Sequence, residues 1–107
     1  MEVIKLSYPA APDPTLELTR VAGARGALLQ VGTALLRKGH RIPDTGESCH
    51  EGTEVSVILD GVLDVTCGGR VHRLTAGDLV VVPAGEAHHT EVLEEAHLVY
   101  VFLNDAA

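Results

Sequence analysis

The chain has 107 residues, 46% of them hydrophobic, and 15 acidic side chains against 8 basic ones give a net charge of −7. That length suits one domain with a single core and no need of disulfide staples, and the apolar content excludes wholesale disorder. An acidic surface repels phosphate backbones, and Tyr8, Tyr100 and Phe102 are the only aromatic residues available to stack on bases, so nucleic acid is not expected as a partner.

The first 26 residues read as an N-terminal arm. A short strand is expected at residues 3–6, then the proline-rich stretch Pro9, Pro12, Pro14, weak alternation over 16–20 and a glycine-bearing turn over 22–26. No apolar run here has signal-peptide length and nothing further on approaches a membrane span, so a cytoplasmic protein is expected. From residue 27 strands recur at close spacing: 27–36, then a loop over 38–46, 54–59 and 62–67 about an Asp60-Gly61 hairpin turn, 70–74 after Gly68-Gly69, and 79–83, 88–93 and 97–103. Residues 93–97 have helical composition but are too few to form a helix alone. Seven or more short strands predict an all-β sandwich or barrel, with the barrel unit over 27–107. Cys49 and Cys67 match no zinc or redox spacing and are expected to be small, mostly buried free thiols.

Two stretches carry metal-capable side chains among strand formers: residues 48–54, with His50 and Glu54, and residues 77–88, ending on His88. Two imidazoles and a carboxylate are a ligand set for a divalent transition metal. His50 and Glu54 would share a helix face, but Gly52 lies between them and Val55, Val57, Ile58 and Leu59 follow, which favours strand. In a strand their parity agrees. Four extended residues span about 13 Å, however, whereas ligands about 2.1 Å from one ion lie only ~3 Å apart. The chain must therefore bend, and Gly52 is the natural place. His88 shares a strand face with Thr90 and Val92, while His89 and Glu91 take the opposite, solvated face.

The motifs resemble those of small single-domain cupins, whose fold is a double-stranded β-helix or jelly roll. In that family a His-x-His pair is followed by glutamate and, six residues on, glycine; His50, Glu54 and Gly61 fit. The second motif, Gly, five residues, Pro-x-Gly, two residues, His, is met by Gly77, Pro83, Gly85 and His88. The resemblance covers roughly residues 28–103. It departs at Ser48, where the first histidine would stand, at Ile42 in place of a glycine and at Val92 in place of an asparagine. Carried over residue by residue, it implies His50, Glu54 and His88 as ligands of Fe, Mn, Ni or Zn.

Around that set, Ser48 is expected to hold a metal-bound water, His40 is a candidate fourth ligand, and Ser56 and Ile58 share Glu54's parity and so line the pocket. His72 reads as an exposed strand residue, His97 as a surface partner of Glu94 or Glu95, and Tyr100 and Phe102 as core or mouth packing. Arg37, Lys38 and Arg41 cluster around the loop before the first motif and read as a solvated charge run or as an attraction for an anionic substrate at the mouth. The resemblance further implies a homodimer in which residues 1–20 cross to the partner, and either an oxygenase, isomerase or lyase acting on a small organic substrate or a non-enzymatic binding or sensing module.

Overall fold

The computed structural model describes residues 1–104, so the last three residues of the expected 27–107 unit lie outside the described residues. Seven strands account for the regular structure: β1 (Thr15–Ala22), β2 (Leu28–Leu36), β3 (Arg41–Ile42), β4 (Thr53–Cys67), β5 (Arg70–Thr75), β6 (Leu79–Val82) and β7 (His88–Asn104). All pairings are antiparallel. The expected all-β jelly roll, a double-stranded β-helix, is what forms. Two sheet layers share the long strands β4 and β7. One layer runs β1-β2, the C-terminal half of β7, the N-terminal half of β4, then β6; the other runs β3, the N-terminal half of β7, the C-terminal half of β4, then β5.

Three expectations need correction. Residues 3–6 form no strand. The expected strands 88–93 and 97–103 are one, β7, with residues 93–97 inside it, because pairing along both flanks outweighs the weak helical preference of that stretch. Asp60-Gly61 closes no hairpin. It is an irregularity inside β4, with register shifts between Ile58 and Leu63 where both long strands turn from one layer to the other. Gly61 is required there twice over: its φ is +91°, and an added Cβ would sit 2.4 Å from Glu95 O and 2.5 Å from Ala96 Cα.

The shift reverses the alternation. Ser56 and Ile58 face inward before it, Leu63 and Val65 after it, and these meet Ala34, Leu36, Leu74, Val92, Ala96 and Leu98 in the core. Burying one such aliphatic side chain is worth about 1.5–3 kcal/mol. The arm is tied to its own barrel. Thr33 Oγ1 donates to Ser7 O, Leu35 N–H to Pro14 O at 3.0 Å, and Tyr8 stacks edge-on against His97 at 4.6 Å.

The outer faces of the two layers differ. One carries the charged row Arg41–Glu91–Asp64–Arg73, in which Arg73 binds Asp64 through two bonds of 2.9 and 3.1 Å. On the other, Val31–Val101–Val55–Val81 runs unbroken across four strands beside Thr33–Val99–Val57–Leu79. No described helix is long and apolar enough to cross a membrane.

Candidate metal centre

The two motif stretches are stitched together by backbone bonds. Ser48 and His88 exchange N–H···O bonds of 2.7 and 2.9 Å, and Gly85 N–H donates to His50 O at 2.8 Å. These fix the loop before β4 against the turn before β7. The chain bends at Glu51 and Gly52, and β4 begins at Thr53. Gly52 serves closeness more than rotation: an added Cβ would lie 2.1 Å from Asn104 Oδ1 and 2.5 Å from Leu103 O. With the bend made, His50 Nε2 comes to 3.7 Å from Glu54 Oε1.

His88 stands beside them, its ring 5.1 Å from that of His50. One ligand atom from each of His50, Glu54 and His88 lies within 4.8 Å of the others. Donors each about 2.1 Å from one ion are at most ~4.2 Å apart, so the three stand close to the separations of a bound set. His88 is buried, and its Nδ1 is 3.0 Å from Glu86 O. A carbonyl only accepts, so Nδ1 carries the proton and the Nε2 lone pair is free to ligate, the outer contact usual for metal-binding histidines. His50 is held from the other side by Phe102, ring to ring at 5.1 Å. Donor chemistry, spacing and tautomer fit a divalent transition metal.

These groups occupy one end of a cavity of ≈ 220 Å³. Ser48, Ser56, Ile58, Tyr100 and Phe102 line it, together with Thr15 and Thr90, which the sequence did not single out. Thr90's parity with His88 was signal enough to find it; Thr15 carried none. Desolvation pushes the Tyr100 hydroxyl pKa up, with Glu17 adding a smaller effect. Leu63 and Val65 also line it, facing the same way as Ser56 and Ile58.

Other candidates lie elsewhere. His40 Nε2 is 3.5 Å from Asp44 in a largely exposed loop and lines no part of the cavity. Arg37, Lys38 and Arg41 do not line it either; Arg41 Nη1 donates to Pro43 O at 2.7 Å. His97 pairs with Asp60 at 2.8 Å rather than with Glu94 or Glu95, because the β4 irregularity brings Asp60 opposite it, and this contact lowers the Asp60 pKa. His89 is less solvated than its position suggests, with Nδ1 2.8 Å from Glu47 Oε1. Both cysteines are free, but Cys49 is exposed, not buried. The Cys67 thiol donates to Glu86 Oε1 at 2.8 Å; that carboxylate raises its pKa and keeps the thiol protonated at neutral pH.

A model of the cupin domain matches residues 34–104, most of the chain. The chain belongs to the cupin family. No curated protein sequence matches this cupin. Solved structures do. A cupin superfamily protein from Desulfitobacterium hafniense is 20% identical, with a TM-score of 0.70 over 91% of this chain and 84% of that one. An RmlC-like cupin from Shewanella frigidimarina is 22% identical, with a TM-score of 0.63 over 81% and 84%. A predicted oxalate decarboxylase from Thermotoga maritima is 18% identical, with a TM-score of 0.60 over 81% and 91%. At these identities the likeness is one of fold.

Proposed function

We propose that this cupin is a metal-dependent enzyme acting on a small organic molecule, with His50, Glu54 and His88 holding one Fe, Mn, Ni or Zn ion. The observation that carries the reading is the convergence of those three side chains at one end of a cavity whose wall is otherwise mostly apolar. Such an ion supplies Lewis acidity, or a docking point for substrate and O2, in the manner of oxygenase, isomerase and lyase sites. The chain's own part is to orient His88 through Glu86 O, to seat the Ser48 hydroxyl beside the ligands and to keep water from the inner wall. A cytoplasmic location fits the two free thiols. Elemental analysis of untagged protein is expected to find close to one transition-metal ion per chain; a value near zero after growth in metal-supplemented medium would speak against the reading.

A binding or sensing module is the second reading. Once the ligands are assigned, Tyr100 is the only titratable side chain left on the cavity wall, so proton transfer independent of the ion has few candidates. Ligand binding by metal-free protein as tight as by loaded protein favours this alternative.

The protein is further proposed to be a homodimer joined through the aliphatic face of the β2-β7-β4-β6 layer. Four strands by two rows cover roughly 250 Å² in projection, close to the few hundred Å² at which an apolar patch marks an interaction site. The patch bears none of the charge that gives the chain its −7, so a second copy can approach it without repulsion. The arm lies on its margin at Thr33 and exposes Val3, Ile4 and Leu6, so exchange of residues 1–26 would keep the β1–β2 pairing between subunits. Light scattering is expected to give about twice 11.3 kDa, falling to the monomer mass in Val101→Glu; a wild-type monomer at micromolar concentration would contradict this.

A further inference from the structure

The cavity wall also constrains what can enter. We infer that the substrate is a compact, mainly aliphatic or single-ring molecule with one oxygen-bearing head that carries no more than one negative charge. This rests on the reading of His50, Glu54 and His88 as the end where chemistry occurs.

The cavity is layered. His50, Glu54, His88 and Ser48 form the polar end, and the Ser56 and Thr90 hydroxyls come one strand step further in. Beyond them the wall is made by Ala34, Leu36, Ile58, Leu63, Leu74 and Leu98. The register explains the order, for Ser56 pairs with Tyr100 and Val80, whereas Ile58 pairs with Leu98, itself opposite Ala34.

Charge narrows the choice. The chain has 8 Lys and Arg residues, and none of them lines the cavity. A phosphate, or a second carboxylate directed inward, would be desolvated with no counter-charge. A polyol would turn several hydroxyls onto aliphatic carbon and lose their hydrogen bonds to water, with the Thr15, Ser56, Thr90 and Tyr100 hydroxyls to replace them beyond the polar end. A single anionic head can stay at the polar end.

Size narrows it further. At ≈ 220 Å³ the cavity is smaller than the roughly 300–1,000 Å³ of pockets for drug-sized ligands. At about 30 Å³ per water it holds about seven waters, so it can enclose about ten non-hydrogen atoms of a ligand. Within that limit each methylene buried against the wall is expected to tighten binding about fourfold.

The test is calorimetric titration of zinc-loaded protein with 2-oxobutanoate, 2-oxopentanoate and 4-methyl-2-oxopentanoate, and with oxalate, citrate and galacturonate. Affinity is expected to rise about fourfold per added carbon along the first series and to be at least tenfold weaker throughout the second. Ala34→Leu fills the inner end and is expected to weaken 4-methyl-2-oxopentanoate at least tenfold while sparing 2-oxobutanoate and zinc content; if that variant fails to fold, Ala34→Val is the smaller step in the same direction. A flat first series, no binding by any of its members, or oxalate, citrate or galacturonate binding as tightly as 4-methyl-2-oxopentanoate would overturn the inference. The metal assignment is read separately. Zinc content well below one per chain with the fourfold series intact removes the metal and leaves the selectivity standing.

Discussion

His88→Ala protein is expected to purify with less than about a tenth of the wild-type metal content while remaining folded, and His50→Ala should behave alike. Each change removes one of only three protein donors, and loss of even an outer partner of such a ligand typically lowers affinity about 10–100-fold. Folding should survive, because both residues stand at the mouth of the cavity and outside the aliphatic cluster around Ile58, Val92 and Ala96. Two controls separate ligation from local damage. Glu86→Ala keeps the backbone carbonyl that orients His88 Nδ1 and is expected to retain metal. His89→Ala alters an imidazole on the other strand face, paired with Glu47, and should likewise retain it. Elemental analysis and circular dichroism on the four variants check this; retained metal in His88→Ala would remove that residue from the site.

The second large effect is structural. Gly61→Ala is expected to lower unfolding free energy by roughly 2–6 kcal/mol, the sum of backbone strain at positive φ and of crowding a packed contact. Both components follow from its position, where a Cβ meets Glu95 O and the Ala96 backbone across the corner. Neither neighbour is the flexible end of a side chain, so relaxation requires moving β7. Gly69→Ala is the comparison: its φ is +78° but nothing lies within 4 Å of the added atom, so only the strain of about 1–2 kcal/mol should appear. Urea unfolding of both variants measures the difference. Since native domains have only about 5–15 kcal/mol to lose, Gly61→Ala should remove a substantial share of the protein's stability. Equal midpoints for the two would contradict the corner assignment.

That same corner shows how far the fold was legible in the chain. Strand composition and turn residues were local signals that sufficed for an all-β sandwich or barrel, and the spacing of His50, Glu54, Gly61, Gly77, Pro83, Gly85 and His88, through its resemblance to cupins, implied the jelly roll. Asp60-Gly61 was also local, and it misled. The dipeptide suits a two-residue hairpin, but whether the chain reverses there or only bends depends on β7 running alongside, a contact made across more than thirty residues. His97 was assigned to its sequence neighbours because its true partner, Asp60, is brought in by the same register shift. His40 illustrates the converse: composition cannot tell a loop histidine that reaches inward from one held outside by Asp44. The apolar outer layer was present in the sequence as the unbroken run of residues 79–82, in which Leu79 and Val81 are exposed on the chain's surface.

The most direct measurement is anomalous diffraction from crystals of the protein loaded with zinc or manganese. A single strong peak is expected about 2.0–2.2 Å from one donor atom of each of His50, Glu54 and His88. A peak held by other side chains, or a fully loaded crystal with no density between those three, would contradict the metal centre on which the functional reading stands.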